Sequence, residues 1–502
     1  MIFEVFGLTF EELEPKPFAL LISNTSIMKK IVLSIVVGAA LVLSACKKDG
    51  GFVGVSKDSN RYFALQNGET FIPNGLNFCW PPFKWDSKDE EQTLAEVEAQ
   101  LDNLAKNGGN FIRIWISSDF TESEVSEGVY DESRAKRLDK IVEMCQKRGI
   151  KVKMCLHHFL TLKGATPAHN VVGKHYTRNI YLKDFGGSFA SNKEFFTTEK
   201  GKELFKKRMD FFAKRYADNP TIFAWELWNE FDVVFNVPAD VKMAWTAEML
   251  GEARKRFPHN LVTQSYGSFC GSPKQMEGKM RYYFTPQDDI IQIHRYNLPQ
   301  QYLPEVEGAQ DVCMETAVSR VLARNPQKPV LLAESGVALR DWVGKSPEHD
   351  ADKEGVILHD TLFAPFFAGA AGPGHIWYWD TYVQKNNLWH HFKLFKNAVA
   401  DFDAAKQRAV PFRADTPSLR VYGLRGATKS IFWCRDKNSD IHTELRDNIP
   451  AKILSGEVVK IGGGFSKAKA YLDWEDKWVD LKIENSQVKL PDFKRSIVIL
   501  AQ

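Results

Sequence analysis

The sequence predicts an α/β fold, a closed (β/α)8 TIM barrel followed by a small C-terminal antiparallel β-sandwich, and three observations carry that prediction. Eight short apolar runs alternate with longer helical patterns between residue 71 and about residue 400, as βα units around a parallel sheet do. No Gly-x-Gly-x-x-Gly turn follows any of these runs, which removes the main support for an open dinucleotide-binding sheet. Beyond about residue 410 the helical period gives way to closely spaced strand-like runs.

The 502 residues are 44% hydrophobic and 26% charged, enough to bury a large core and too apolar for a disordered chain. Lysine and arginine total 66 against 63 acidic residues, and no long basic run marks a nucleic-acid partner. Seven cysteines without a Cys-x-x-Cys pair match neither a zinc site nor a disulfide scaffold.

Taken in order, residues 1–27 carry the acidic stretch Glu11-Glu12-Leu13-Glu14 and read as lying upstream of the true start, Met28. Residues 28–45 read as a signal peptide, with Lys29 and Lys30 before an apolar run and Ser44-Ala45 at its end. That run, residues 31–43, is roughly 13 residues long, short of the about 20 that span a bilayer as a helix. Leu43-Ser44-Ala45-Cys46 resembles the bacterial lipobox, which implies a lipid on Cys46 and a tether over residues 46–58. An ordinary cleaved signal is the plainer alternative. Export with a lipid anchor is expected to place the chain at the outer membrane or cell surface of a Gram-negative bacterium, Lys47 standing where inner-membrane retention is associated with aspartate. In that oxidising setting Cys79 and Cys155, each inside an apolar run, still read as buried thiols.

The barrel domain is expected over residues 59–405. It opens with a hairpin, residues 61–65 and 70–73 flanking the Asn67-Gly68 turn signal. The eight strand runs are residues 72–78, 110–116, 151–156, 222–227, 261–265, 290–294, 330–333 and 375–379, most of them near-continuously apolar, as strands covered on both faces are. Between them, residues 90–106, 132–147, 201–216, 239–256, 311–324 and 353–368 show three- and four-residue apolar spacing. Asn107-Gly108 and Arg148-Gly149 supply helix ends that tolerate the left-handed conformation. Strand runs at 419–424, 430–435, 458–461, 468–474, 478–483, 487–490 and 496–500 make up the sandwich expected over residues 410–502. With few clustered aromatics, that domain reads as a packing module rather than a carbohydrate-binding one.

Functional residues of such barrels sit at the carboxyl ends of the strands. The fourth run ends in Trp225-Glu226-Leu227-Trp228-Asn229-Glu230, the seventh in Ala333-Glu334-Ser335-Gly336, and each delivers a carboxylate to the same rim. Two carboxyl groups about 5–5.5 Å apart are what retaining glycoside hydrolysis requires, one as proton donor and then base, the other as nucleophile. Opposed environments must keep the first protonated and the second ionised. One glutamate at a strand end is often only a solvated loop residue; the pair Glu230 and Glu334 is what points to catalysis. Glu226 is the rival for Glu230, but it lies within the strand and reads as part of a buried polar network.

These motifs resemble the clan A glycoside hydrolases, most of all glycoside hydrolase family 5 with its cellulase- and β-mannanase-like members, across roughly residues 60 to 400. The resemblance implies Glu230 as acid/base and Glu334 as nucleophile. It implies Arg113 as the arginine that hydrogen-bonds the nucleophile and His157 or His158 as the rim histidine. From His294-Arg295-Tyr296 it implies a His-x-Tyr pair whose tyrosine orients the nucleophile. Trp377 or Trp379 would form the aromatic platform under the sugar, and Asn229 would bind the sugar 2-hydroxyl. Trp80, Trp115 and Trp228, also at strand ends, read as further cleft residues. His157 and His158 point to opposite strand faces and cannot share an ion, so no metal centre and no cofactor are expected. Loops at 159–198 and 297–310 would shape the cleft.

The function expected is retaining hydrolysis of a β-linked poly- or oligosaccharide, β-mannan or β-glucan first, by an exported enzyme. Its partner is carbohydrate, it has no nucleic-acid partner, and it meets a membrane only through its lipid. Two alternatives stay open. An exo-acting β-galactosidase or β-mannosidase would keep both glutamates and differ in its loops. A catalytically inactive glycan-binding surface lipoprotein would need only the aromatics, and the presence of both carboxylates with Arg113 and Tyr296 argues against it.

Overall fold

The computed structural model describes residues 51–81, 89–162, 180–267, 269–298, 304–339 and 346–502, all within the compact unit Gly50–Gln502. The upstream segment, the signal peptide and Cys46 therefore lie outside the described residues, as do parts of the expected cleft loops. No helix among the described residues is long and apolar enough to cross a membrane.

The tether expected over residues 46–58 needs correcting. Val53–Val55 pairs antiparallel with Phe63–Leu65, which pairs in turn with Thr70–Phe71, making a three-stranded sheet. Burial of Val53, opposite Leu65, draws the segment into the folded body well before residue 58.

Five parallel barrel strands follow in neighbour order: Gly75–Asn77, Phe111–Trp115, Lys151–His158, Ile222–Asn229 and Leu261–Thr263. The sixth and seventh, Ile291–Asn297 and Val330–Val337, pair with each other. Single bridges complete the ring, Ser265 to Gln292 on one side and Ser335 to Ile376 on the other. The Asn77 amide then donates to the Ile376 carbonyl at 3.1 Å and closes the circle. The eighth run is thus reduced to a bridge at Ile376, because Trp379–Gln384 immediately winds into a wide helical turn.

Side chains placed by the sequence start the outer helices. Asp89, Asp131, Thr198 and Ser272 accept hydrogen bonds from first-turn amides of the helices Glu90–Lys106, Glu132–Lys147, Glu199–Tyr216 and Pro273–Tyr283. The last of these, and His390–Val399, are helices that apolar periodicity did not reveal.

Helix Val356–Phe367, sequence VILHDTLFAPFF, is buried all round. Such a helix needs cover on every face. The barrel supplies part of it, and the C-terminal six-stranded antiparallel sheet supplies the rest: Trp433 packs 5.6 Å from Phe363, and Arg435 makes a two-pronged pair with Asp360 at 2.9 and 3.1 Å. Over the other face of that sheet lie two small sheets, burying Val459, Val488, Leu490 and Phe493 against Leu419, Phe432 and Ile499.

Candidate active site

Arg113 organises the barrel mouth. It is fully buried, and its five N–H donors are all used. Nε and Nη2 donate to the two oxygens of Glu226 at 2.8 and 2.6 Å. Nη2 also donates to Asn229 Oδ1 at 2.6 Å, and Nη1 to Asn77 Oδ1 at 3.2 Å and to Glu334 Oε1. The first, second, fourth and seventh strands are thereby tied together at one point.

Strict strand alternation would not let Glu226 and Asn229 both face Arg113, since they stand three residues apart. The strand breaks its alternation between them and turns Trp228 outward. There Trp228 is 0% exposed among Phe196, Phe205 and Trp245, so it is a core residue and not a cleft residue. Its neighbour on the third strand does the same: His157 lies 4.6 Å from Trp228, with Nε2 3.2 Å from the Tyr181 hydroxyl, away from the mouth. His158 instead stacks on Trp115 at 4.8 Å. Both histidines are buried, and burial drives both imidazoles down, His158 to about 3, so they are neutral.

Glu230 follows Asn229 with φ +50, a left-handed conformation that is strained for a glutamate, and its amide donates to Ser265 Oγ at 3.1 Å. Its side chain is 14% exposed. His294 Nδ1 lies 2.9 Å from Glu230 Oε1 and 3.3 Å from Glu334 Oε2, bridging the two carboxyl groups. One oxygen of each, with a nitrogen of His294, fall within 4.8 Å of one another. That spacing also suits a cation, yet both Glu334 oxygens already accept, Oε1 from Arg113 and Oε2 from the Tyr296 hydroxyl at 2.9 Å. Gly336, two residues on, has φ +148, and a Cβ there would meet the Tyr378 ring at 3.0 Å.

The two carboxyl groups sit in different fields. Burial, then the negative charge of Asp232, pushes Glu230 up to about 7. Burial also raises Glu334, but the charge of Arg113 and the hydrogen bond from it oppose the rise. Burial holds His294 at about 4, so it is neutral in this setting.

The aromatic wall is made by Trp80, Trp115, Trp377 and Trp379, with Trp80 5.7, 5.5 and 4.7 Å from the other three. Trp80 and Trp377 remain partly exposed, whereas Trp115 and Trp379 are buried beneath them. Of the two candidate platforms on the eighth strand, only Trp377 presents surface.

Three residues escaped sequence reasoning. Asn77 Nδ2 holds the carbonyls of Ala333 and His375 at 3.0 and 3.1 Å, fixing the strand that carries Glu334. Asp232 accepts from the Gly267 amide at 2.5 Å and pairs with Lys279 at 3.1 Å behind Glu230. Lys153 lies buried within the third strand. A lysine inside an apolar strand was the signal available for it, because lysines are buried only with a partner.

Residues 66–359 match the family model described as cellulase (glycosyl hydrolase family 5). Mannan endo-1,4-beta-mannosidase 1 of Solanum lycopersicum is 27% identical over 320 residues, covering 59% of this chain and 76% of that protein. Mannan endo-1,4-beta-mannosidase 7 of Arabidopsis thaliana is 24% identical over 358 residues, 65% and 78% of the two chains. The crystal structure of a glycoside hydrolase family 5 protein from Bacteroides vulgatus ATCC 8482 covers 90% of this chain and 94% of its own, at TM-score 0.57 and 16% identity. At that identity the likeness bears on the fold alone.

Proposed function

We propose that this glycoside hydrolase, a chain that belongs to the cellulase family known as glycosyl hydrolase family 5, cleaves β-linked mannan with retention of configuration. One observation carries the reading: Glu230 and Glu334 converge within 4.8 Å of a shared histidine, the first raised to about 7 and the second hydrogen-bonded by Arg113 and Tyr296. The mannan endo-1,4-beta-mannosidases among its relatives support the choice of sugar.

In this mechanism Glu230 protonates the glycosidic oxygen while Glu334 attacks the anomeric carbon and forms a glycosyl ester. Glu230, now ionised, takes a proton from water as that water attacks the ester and frees Glu334. Asn229, pinned by Arg113 beside Glu230, meets the sugar 2-hydroxyl, and Trp377 stacks under the ring. No step calls for a cofactor.

The test is incubation of the purified chain, beside Glu334→Gln, with β-mannan, β-glucan, xylan and galactan, following reducing ends and anomeric form. Mannan turnover with retained configuration, lost in the variant, supports the reading. Turnover of glucan in place of mannan moves the substrate, and binding without turnover on any polymer replaces hydrolysis with glycan capture.

We also propose that the enzyme is exported and held at the outer membrane by lipid on Cys46, on the strength of Lys29-Lys30, the apolar run and Leu43-Ser44-Ala45-Cys46. Cys46→Ala should release the protein from the membrane fraction; retention there would refute the anchor.

A further inference from the structure

Glu226 is the most completely buried carboxylate near the mouth that the double displacement leaves without a task. It takes both forked donors of Arg113, at 2.8 and 2.6 Å, and it lies 3.7 Å from Lys153 Nζ. Lys153 in turn donates to Gln292 Oε1, and Gln292 Nε2 donates to Thr263 Oγ1 at 3.1 Å. A chain of polar contacts thus crosses the barrel interior from the fifth strand to the nucleophile, and Glu226, Lys153 and Gln292 are all fully buried.

Resting on the double-displacement reading above, we propose that Glu226, held by Lys153, is a positioning residue for the nucleophile: it occupies the forked edge of the Arg113 guanidinium and leaves Glu334 one donor, Nη1. The argument is one of geometry and charge. A forked arginine–carboxylate pair is the strongest arrangement these groups make. Were it made to Glu334, it would hold the nucleophile's charge in the ground state, and the arginine would lose its buried counter-ion when Glu334 becomes an ester. With the fork on Glu226, Arg113 keeps a full partner through both half-reactions.

The charges balance at each stage. In the free enzyme Arg113 and Lys153 offset Glu226 and Glu334, with Glu230 protonated. In the ester the C–O bond to the leaving group has broken, its oxygen has taken the Glu230 proton, and the new bond to Glu334 has removed that carboxylate's charge. The negative charge has moved from Glu334 to Glu230, and Arg113, Lys153 and Glu226 are unchanged.

Burial alone would push Glu226 up, yet Arg113 and Lys153 hold its carboxyl down at about 2. Among the described residues, the other titratable groups facing this network are the Cys79 and Cys155 thiols beside Arg113, kept protonated by burial, His375 near Lys153 and Arg113, kept neutral by burial at about 3, and Glu230, His294, Tyr296 and Tyr378 beside Glu334.

The experiment compares wild type, Glu226→Gln, Glu226→Asp, Lys153→Met and Glu334→Gln as full chains, measuring kcat and KM on soluble β-mannan from pH 4 to 9 and checking each fold by circular dichroism. Removing the Glu226 charge turns the guanidinium toward Glu334, so the acid limb of kcat/KM moves to lower pH and kcat falls at least tenfold with KM within about threefold. Removing the Lys153 charge strengthens the hold of Glu226 on Arg113, and the acid limb moves to higher pH. Glu226→Asp restores part of kcat. A purely structural role lowers the yield of folded enzyme and leaves the limb where it was. Unmoved limbs, or both variants shifting the limb the same way, overturn the proposal. Should Glu226→Gln not fold, Lys153→Met and Glu226→Asp decide the direction. An active Glu334→Gln overturns the double displacement itself, whereas a dead Glu334→Gln with unmoved limbs overturns only the role of Glu226.

Discussion

The Tyr296 hydroxyl donates a 2.9 Å hydrogen bond to Glu334 Oε2, from the strand next to the one that carries the glutamate. The pairing brings His294 opposite Glu334 and Tyr296 opposite Gly336, so the two-residue spacing of His-x-Tyr places both side chains on Glu334. Hydrogen bonds to charged groups contribute about 1.5–3 kcal/mol. Tyr296→Phe should therefore lower kcat by roughly 10- to 150-fold with KM little changed. Steady-state kinetics on mannan check this, and a loss confined to KM would contradict an orienting role.

Opposed carboxyl environments dictate a bell-shaped profile. In the proposed double displacement Glu230 acts protonated, so kcat/KM falls as pH rises through about 7, where burial and Asp232 have pushed its carboxyl. Glu334 acts ionised, and because burial raises it above 4.5, the acid limb lies above the usual carboxylate value. His294, held at about 4 and neutral, adds no limb between them. Asp232→Asn removes a negative charge facing Glu230 and should move the basic limb to lower pH. A limb that stayed put or rose in that variant would show that Asp232 does not set it.

The paired carboxylates Glu230 and Glu334 were legible in the sequence because each closes an apolar run with a polar residue, and the barrel because its runs recur with helical spacers between them. Trp228 was misread because a place at a strand end does not say which face the side chain takes, and the resemblance left His157 and His158 open for the same reason. The third and fourth strands break their alternation on the way to the rim, which lets Glu226 and Asn229 both reach Arg113 while Trp228 turns out. The eighth strand was overcounted because a single bridge at Ile376 can close the ring. Lys153 left one local signal, a lysine inside an apolar run, but its partner Glu226 and the partner of Asp232, Lys279, stand far away in sequence, where no local pattern names them.

Trp228 and Trp377 separate packing from substrate contact. Trp228→Ala empties a fully buried aromatic cluster, a change that costs about 3–5 kcal/mol of stability. Its midpoint in urea should drop, with kcat/KM per folded molecule near wild type. Trp377→Ala, at the partly exposed face of the wall, should leave the midpoint nearly unchanged and lower kcat/KM by roughly tenfold, about 1.4 kcal/mol of lost aromatic contact. An exchange of these two patterns would reverse the assignment.

The C-terminal sheet shares the barrel's core rather than standing apart from it. Tyr422, Trp433, Tyr471, Val498 and Leu500 belong to one continuous hydrophobic cluster with the barrel residues, and Arg435 and Asp360 are paired with neither side chain exposed. Breaking such a pair from one side leaves a buried charge, at a cost of about 3–5 kcal/mol. Asp360→Ala should therefore lower the urea midpoint of the barrel and the sheet together, in a single transition followed by both tryptophan fluorescence and loss of activity. A chain ending at Ala409 would expose the apolar helix Val356–Phe367 along the face the sheet covers, and it should fail to accumulate as soluble enzyme. Two separate transitions, or a soluble and active barrel without the sheet, would mean that the sheet is an independent module whose loss the catalytic domain survives.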